Sequence, residues 1–143
     1  MGGAGAGSGL GSGAGYSGTP LPKKLGIVDG STVALVGAPA GLLDDLPTGV
    51  TVKRQARGKA DVVVAFFTGQ RDFERRIDAL GRMIFPAGGL WVASPKKASG
   101  VATTMNENVV RAVALPLGLV DNKVCAIDET WSGLRVVWRR ERR

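Results

Sequence analysis

The sequence predicts an α/β fold, with a mostly parallel sheet that ends in an antiparallel β-hairpin and has helices on both faces. Three observations support this class. Continuous apolar runs rich in valine are typical of strands buried on both faces. Segments with apolar residues at helical spacing separate these runs. The C-terminal part instead contains two consecutive strand patterns, and this order indicates a doubly wound sheet with one antiparallel strand.

The N-terminal segment "MGGAGAGSGLGSGAGYSG" has no charged side chain and no apolar run. Such a segment cannot bury enough apolar surface to offset the entropy that it would lose on ordering. We therefore expect residues 1–18 to form a flexible tail rich in glycine, alanine and serine, and residues 19–143 to form a single α/β domain. A chain of 143 residues can form one core but is too short for a catalytic domain plus a substrate domain.

The first predicted elements are a short helix and two strands. In "GTPLPKKLG", Thr19 can cap a helix that has prolines in its first turn and ends at Gly26. The run "STVALVG", residues 31–37, predicts a strand that is buried on both faces. The run "GVTVKRQ", residues 49–55, predicts a shorter strand.

The middle of the chain predicts a strand, a helix and a second strand. The run "ADVVVAFF", residues 60–67, is typical of a fully buried strand. In residues 69–84, apolar side chains fall on one helical face and arginines such as Arg75 and Arg82 on the other, so we expect these arginines to be solvated. The run "GLWVAS", residues 89–94, predicts another buried strand.

A second amphipathic helix is predicted to begin at "TMNE", where Thr104 and Glu107 have the spacing of a capping box. We expect Pro116 and Gly118 to stop this helix. The side chains that it is expected to bury are those of Met105, Val109 and Val113.

A β-hairpin is predicted for the end of the chain. The segment "KVCAIDETW" reads as its first strand and "LRVVWRR" as its second. We expect Ser132 and Gly133 to form the turn between them.

The residue types exclude several chemistries. The chain has no histidine, which removes the usual general base, the usual zinc ligand and the usual member of a catalytic triad. We accordingly expect no catalytic residue and no metal.

The single Cys125 cannot form an internal disulfide, which agrees with a cytoplasmic location, and we expect it to be a small core residue. No stretch approaches the ~18 apolar residues of a membrane span, so we expect no membrane partner.

The net charge of +7 arises from 19 basic and 12 acidic residues. The C-terminal segment "RVVWRRERR" contains five arginines and one acidic residue. Basic runs can neutralise the phosphates of nucleic acid, but they also occur as solvated chain ends. Nucleic acid is therefore one candidate partner, beside an anionic small molecule or a protein.

Two parts of the sequence resemble the class I, S-adenosylmethionine-dependent methyltransferase family, which has a Rossmann-like fold. One is "LGIVDGSTVALVGAPAG", which is similar to the entry into that family's first strand, and the other is the final helix with its hairpin. The chain between the first and third predicted strands is short for that family's usual helices. The resemblance implies a reduced, methyltransferase-like version of the fold.

The resemblance also identifies a cofactor loop. In that family an acidic residue precedes, by two positions, a loop with three alternating glycines. The corresponding residues here are Leu35 and then Gly37, Ala38, Pro39, Ala40 and Gly41. Leucine replaces the acid, and the middle glycine is Pro39, which has no N–H to donate. A second acid, for ribose hydroxyls, would fall at Lys53, Arg54 or Gln55. We interpret the loop as a degenerate cofactor loop and expect no bound cofactor.

A closer resemblance covers roughly residues 16–139. The segments "YSGTPLPKKLGI", "PKKAS" and "KVCAIDETWSGL" are similar to a bacterial domain-of-unknown-function family that is common in actinobacteria. The resemblance implies a small cytoplasmic protein. It brings no catalytic residues with it.

The predicted strand ends indicate where a ligand would bind, because open α/β sheets bind ligands beyond the carboxyl ends of their strands. These ends supply "SPKKASG" and, if the penultimate strand is parallel to the others, "DETWSG". The candidate ligand-binding residues are Lys96, Lys97, Ser99, Asp128, Glu129, Thr130, Trp131 and Ser132. Lysine charge suits phosphate, and a tryptophan can stack on a base. Alternatively, the lysines pair weakly with Asp128 and Glu129 while Trp131 caps the core.

These observations favour a non-enzymatic α/β domain that binds an anionic small molecule or a macromolecular partner in a regulatory or accessory role. The first alternative is a divergent S-adenosylmethionine-dependent methyltransferase. The second is a basic nucleic-acid-binding protein.

Overall fold

The computed structural model describes residues 18–143, which form a six-stranded sheet with three α-helices. The strands are β1 (Thr32–Val36), β2 (Thr51–Lys53), β3 (Val62–Phe66), β4 (Gly89–Pro95), β5 (Leu119–Ala126) and β6 (Trp131–Trp138). The helices are α1 (Leu21–Lys24), α2 (Gln70–Ile84) and α3 (Glu107–Leu117), with 3-10 turns at Lys97–Ser99 and Arg140–Arg142. Residues 1–17, which make up nearly all of the predicted tail, lie outside the described residues.

The strand order across the sheet is β2-β1-β3-β4-β6-β5. Strands β1 to β4 are parallel, whereas β6 runs antiparallel to both β4 and β5. Strand β5 is therefore parallel to the first four strands. This topology confirms the predicted mostly parallel sheet with a terminal hairpin, and it brings the carboxyl ends of β1 to β5 to one edge.

The core lies on both faces of the sheet because the central strands alternate buried side chains between them. One face, with Ala34, Val63 and Leu90, is covered by α2 and α3. The other face, with Leu35 and Trp91, is covered by α1 and by the chain that follows β1. All five residues of β3 are buried, as expected for a strand between two layers.

The chain between β1 and β2 contains no helix. Residues 37–50 form turns and irregular structure, and Leu42, Leu43 and Leu46 pack from this segment against the second face of the sheet. The absence of a helix here explains how so few residues connect the first two strands. It also affects the cofactor loop, which forms the start of this segment.

The start of α3 differs from the prediction. Asn106 is the N-cap, and its Oδ1 accepts a hydrogen bond from the N–H of Val109 at 2.9 Å. Thr104 lies before the helix, and its Oγ1 instead accepts from the N–H of Gln70, 2.7 Å away, at the start of α2. The predicted capping box was therefore wrong, because tertiary structure brings Thr104 to an unsatisfied N–H of another helix.

The buried face and the end of α3 also differ in detail. Val110 and Ala114 are the buried side chains, while Val109 and Val113 are half-buried and Met105 is buried just before the helix. Pro116 lies within the last turn, and Gly118 alone, at a φ of 97°, ends the helix. The tertiary packing rotates the buried stripe by one residue relative to the prediction.

Helix α1 is present, but Thr19 does not cap it. Pro20 is the N-cap and makes no side-chain capping bond, and Gly26 follows the helix at a φ of 83°.

In the hairpin, residues 127–130 form the turn, while Ser132 and Gly133 pair with Ala126 and Cys125 inside the sheet. The predicted turn was therefore misplaced, because Asp128 and not glycine reverses the chain. Among the described residues, no helix is long and apolar enough to cross a membrane.

Candidate functional site

The candidate site is the rim formed by the chain just after β4 and the turn between β5 and β6. The register pairs Ser94 with Ser132 and Pro95 with Trp131. Beyond the last pair, the N–H of Lys96 donates to the carbonyl oxygen of Thr130 at 2.8 Å. The structure thus brings the predicted lysine segment and the predicted "DETW" segment together.

Three of the predicted site residues hold the rim in shape. Asp128 Oδ1 accepts hydrogen bonds from the N–H groups of Thr130, at 2.9 Å, and Trp131, at 2.8 Å. Ser99 Oγ donates to the carbonyl oxygen of Lys96 at 2.7 Å and accepts from the N–H of Val101 at 3.2 Å. Side chains of these types commonly bond nearby backbone in this way. Asp128, Ser99 and the Thr130 carbonyl therefore shape the rim.

The two lysines have different surroundings but share a lack of ionic partners. Lys96 is half-buried and Lys97 is exposed. Within the part of the chain that the structure describes, neither ammonium lies within 4 Å of a carboxylate. Weak pairing of these lysines with Asp128 and Glu129 is therefore not observed, and Glu129 is exposed. Both positive charges are available to an anion.

Trp131 forms the apolar part of the rim. Its ring lies edge-on to that of Phe66, with centroids 5.0 Å apart and an interplanar angle of 84°. Trp131 is half-buried, and its backbone pairs with Pro95, next to the lysine segment. Phe66 was predicted only as a strand residue, and no local signal in the sequence could relate it to Trp131. The contact requires β6 to lie two strands away from β3.

The degenerate cofactor loop reaches the same edge of the sheet. Gly37 and Gly41 both adopt a φ of 70°, and a Cβ at Gly37 would lie 3.5 Å from the carbonyl oxygen of Phe66. Leu35 is only 2% exposed and belongs to the core, so it presents no group to a ligand. Pro39 cannot donate an N–H. No helix follows this loop, so no helix N-terminus is available to bind a phosphate or carboxylate group.

In the methyltransferase family, the end of this strand has an acidic residue that binds ribose hydroxyls. Here the end of β2 has a basic side chain that is already hydrogen-bonded. Lys53 Nζ donates to the carbonyl oxygen of Arg57 at 2.7 Å, and Arg54 and Gln55 are exposed. The carboxylate that the methyltransferase family places here is thus missing. The described residues also contain no cluster of three or more side chains that could hold a metal ion.

The segment before α3 is hydrogen-bonded to the chain after β3, a contact that the sequence did not indicate. Thr103 Oγ1 donates to the carbonyl oxygen of Thr68 at 2.6 Å, and the N–H of Thr104 donates to the same oxygen at 3.0 Å. Together with the bond from the Gln70 N–H to Thr104 Oγ1, these bonds hold the segment before α3 against the start of α2.

Comparison with known proteins identifies the fold. Neither a family model nor a curated protein matches the sequence. Among solved structures, an S-adenosylmethionine-dependent methyltransferase from Aquifex aeolicus aligns with a TM-score of 0.55 and 14% identity over 80% of this chain and 85% of that chain.

A second enzyme, the magnesium protoporphyrin IX methyltransferase from Synechocystis PCC 6803, is similar in two structures. The one with bound S-adenosylmethionine aligns with a TM-score of 0.53 and 14% identity over 78% of this chain and 71% of that chain. The one with bound S-adenosylhomocysteine aligns with a TM-score of 0.51 and 13% identity over 78% and 75%. The chain therefore has a methyltransferase-like, Rossmann-like α/β fold. At this level of identity the likeness concerns the fold alone.

Proposed function

We propose that this protein binds an anionic ligand at the rim and acts as a non-enzymatic, regulatory or accessory domain. The observation that carries the proposal is the 2.8 Å bond between the Lys96 N–H and the Thr130 carbonyl oxygen, because it joins the backbone of the segment with two unpaired lysines to the residue before half-buried Trp131. Cationic side chains bind phosphate or carboxylate, and an aromatic ring can stack on a planar group. A ligand with both features, such as a nucleotide, suits the rim best.

The test is a calorimetric titration with two probes, ATP and pyrophosphate. We expect ATP to bind more tightly, since only ATP has a base to stack on Trp131. The double substitution Lys96→Ala with Lys97→Ala should weaken ATP binding by about tenfold or more, because a hydrogen bond to a charged group contributes ~1.5 kcal/mol or more. Equal affinity in the parent and the double variant would overturn the proposal.

A matched control removes the same charge elsewhere. Arg75→Ala with Arg82→Ala eliminates two cations on α2 whose side chains are 76% and 68% exposed. Neither residue belongs to the rim, so ATP affinity should stay within about twofold of the parent value, given the small effect of exposed charges at moderate salt.

A second candidate function is that of a divergent S-adenosylmethionine-dependent methyltransferase, and the structural neighbours favour it. Leu35, Pro39 and the absence of a helix after the glycine loop argue against it. We expect no binding of S-adenosylmethionine in calorimetry at physiological concentrations. A dissociation constant of tens of micromolar or tighter, about 6 kcal/mol of binding free energy, would instead support the methyltransferase.

Nucleic acid is a third candidate, supported by the exposed arginines of the C-terminal turn Arg140–Arg142. Binding of an oligonucleotide with an affinity that falls steeply as salt rises would favour it. We also propose a bacterial, cytoplasmic setting for the protein, as the predicted domain-of-unknown-function resemblance implies, although no family model supports that resemblance.

A further inference from the structure

A second candidate site is a cavity of about 680 Å³ beside α1 and the outer hairpin strand β5. The last turn of α1 contributes Lys23 and Lys24, and β5 contributes Lys123 and Cys125. Neither rim lysine lines this cavity, and Ser132 is the one predicted rim residue among its lining residues. The cavity is therefore distinct from the rim in its charged groups.

The charge in this cavity is not balanced. In residues 18–143, none of the three lysines lies within 4 Å of a carboxylate. The one acidic lining residue, Glu107, has its Oε1 3.1 Å from an Arg111 nitrogen and is thus already paired. Three ammonium groups around a concave volume attract an anion more strongly than the same charges on a convex surface, because protein walls of low dielectric focus their field.

The thiol of Cys125 lines the same cavity, and the lysine charges act on its pKa. It is half-buried, and this burial raises its pKa above the ordinary value, while the charges of Lys24 and Lys123 act in the opposite direction. The two lysines thus influence a common point within the cavity, although they come from different elements. Exposed Val124 and half-buried Ala126 supply apolar surface next to these charges.

We propose that this cavity binds a small molecule with two or more negative charges, carried by phosphate or carboxylate groups, through Lys24 and Lys123 with support from Lys23. Because the two lysines come from separate elements, a ligand with two anionic groups suits them better than a ligand with a single anionic group. The size of the cavity admits a small metabolite and its charged groups.

The test uses protein in which the rim has been removed by Lys96→Ala and Lys97→Ala, so that the cavity alone is measured. Pyrophosphate and citrate serve as probes for phosphate and carboxylate, in calorimetry and in protection of Cys125 from alkylation by iodoacetamide. Cys125 is the only cysteine of the chain, so a single mass increase reports on this site. At about ten times its dissociation constant, a bound probe should slow alkylation about tenfold by simple occupancy.

Adding Lys24→Ala and Lys123→Ala should weaken probe binding by about tenfold or more, since two charge-assisted contacts are lost. Without a probe, the same change should shift the pH profile of alkylation upward, because the two cations no longer favour the thiolate. Arg75→Ala with Arg82→Ala removes equal charge from α2 and should affect neither result. The probe that binds more tightly identifies the anionic group of the ligand.

If neither pyrophosphate nor citrate gave a heat of binding or protected Cys125, the proposal would be overturned. Unchanged probe affinity after Lys24→Ala and Lys123→Ala would also overturn it. Binding of an oligonucleotide alone would also contradict it. Because every variant lacks the rim lysines, none of these outcomes bears on ATP binding at the rim in the parent protein. The reciprocal titration, ATP into protein with Lys24→Ala and Lys123→Ala, measures the rim without the cavity lysines, so the two proposals fail independently.

Discussion

At the residue scale, Asp128 shows how one side chain can set the geometry of a whole turn. Its Oδ1 accepts hydrogen bonds from two backbone N–H groups, and the N–H of Asp128 itself donates to the carbonyl oxygen of Trp131 at 3.3 Å. The turn therefore depends on a carboxylate where the sequence suggested a glycine. The same turn presents Thr130 and Trp131 to the lysine segment, so a structural residue determines the arrangement of the candidate site.

Asp128→Ala should lower the free energy of unfolding by about 1–3 kcal/mol, because two backbone N–H groups lose their acceptor and each such bond contributes ~0.5–1.5 kcal/mol. Urea denaturation with constant m-value would measure this loss. Glu129→Ala, at an exposed neighbouring position, should change stability by no more than about 0.5 kcal/mol. Equal stability of the two variants would show that the Asp128 bonds do not stabilise the turn.

Asp128→Ala should also weaken ATP binding at the rim without removing any lysine, because Trp131 and the Thr130 carbonyl would lose their fixed positions. Asp128 would then be a positioning residue. Asp128→Asn, which keeps an oxygen acceptor at the same place, should restore most of the affinity.

At the element scale, the segment before α3 connects two helices. Asn106 caps α3 through the Val109 N–H, while Thr104 accepts the first N–H of α2, whose own N-cap Gly69 has no side chain. Two neighbouring polar residues therefore satisfy the N-termini of two different helices. This arrangement fixes the course of the chain over the end of β3.

Asn106→Ala should reduce the free energy of unfolding by about 1 kcal/mol, the usual effect of losing an N-cap side chain. The exposed Asn108, two residues further on, provides the control, and Asn108→Ala should have an effect within about 0.5 kcal/mol. Chemical denaturation of Asn106→Ala, Asn108→Ala and Thr104→Ala distinguishes the Asn106 cap from the capping box that the sequence predicted. If Thr104→Ala lowered the free energy of unfolding and Asn106→Ala did not, the observed cap would be contradicted.

At the scale of the whole molecule, one sheet separates two cores that differ in their cover. Helices α2 and α3 cover one face, and Trp138 Nε1 donates to the Gly81 carbonyl oxygen at 2.8 Å to join α2 to the hairpin. On the other face, Trp91 Nε1 donates to the carbonyl oxygen of Leu25 at 3.0 Å and thereby holds the chain at the end of α1. Each tryptophan thus links a distant segment to the sheet through its polar atom.

Removal of residues 2–15 should leave the free energy of unfolding unchanged within about 0.5 kcal/mol, because this segment has no charged side chain and no apolar run with which to pack. The denaturant midpoint of the shortened chain, compared with that of the full chain, provides the measurement. A clear decrease in the midpoint would show that the segment stabilises the domain and would place the domain boundary earlier.

Local sequence patterns predicted the strands and helices well because burial on both faces requires continuous apolar runs, as in Val62–Phe66, and burial on one face requires helical spacing, as in Gln70–Ile84. They misplaced the hairpin turn and the cap of α3. In both places several polar or glycine residues were locally suitable, and contacts with distant segments decided their roles. Thr104 binds the N–H of Gln70 instead of capping α3, and Ser132 pairs with β4 instead of forming the turn.

The sequence by itself determined the fold class, the loss of the acidic residue and the middle glycine from the cofactor loop, and the lack of histidine chemistry, since each depends only on residue type and spacing. Tertiary structure alone decided that β5 is parallel to the first four strands, which brings "DETW" beside the lysine segment. It also decided that no helix follows the glycine loop and that Lys24 and Lys123 share a cavity with Cys125. The physical reason is that strand order and the convergence of distant charges depend on contacts between segments far apart in the chain, which local periodicity does not encode.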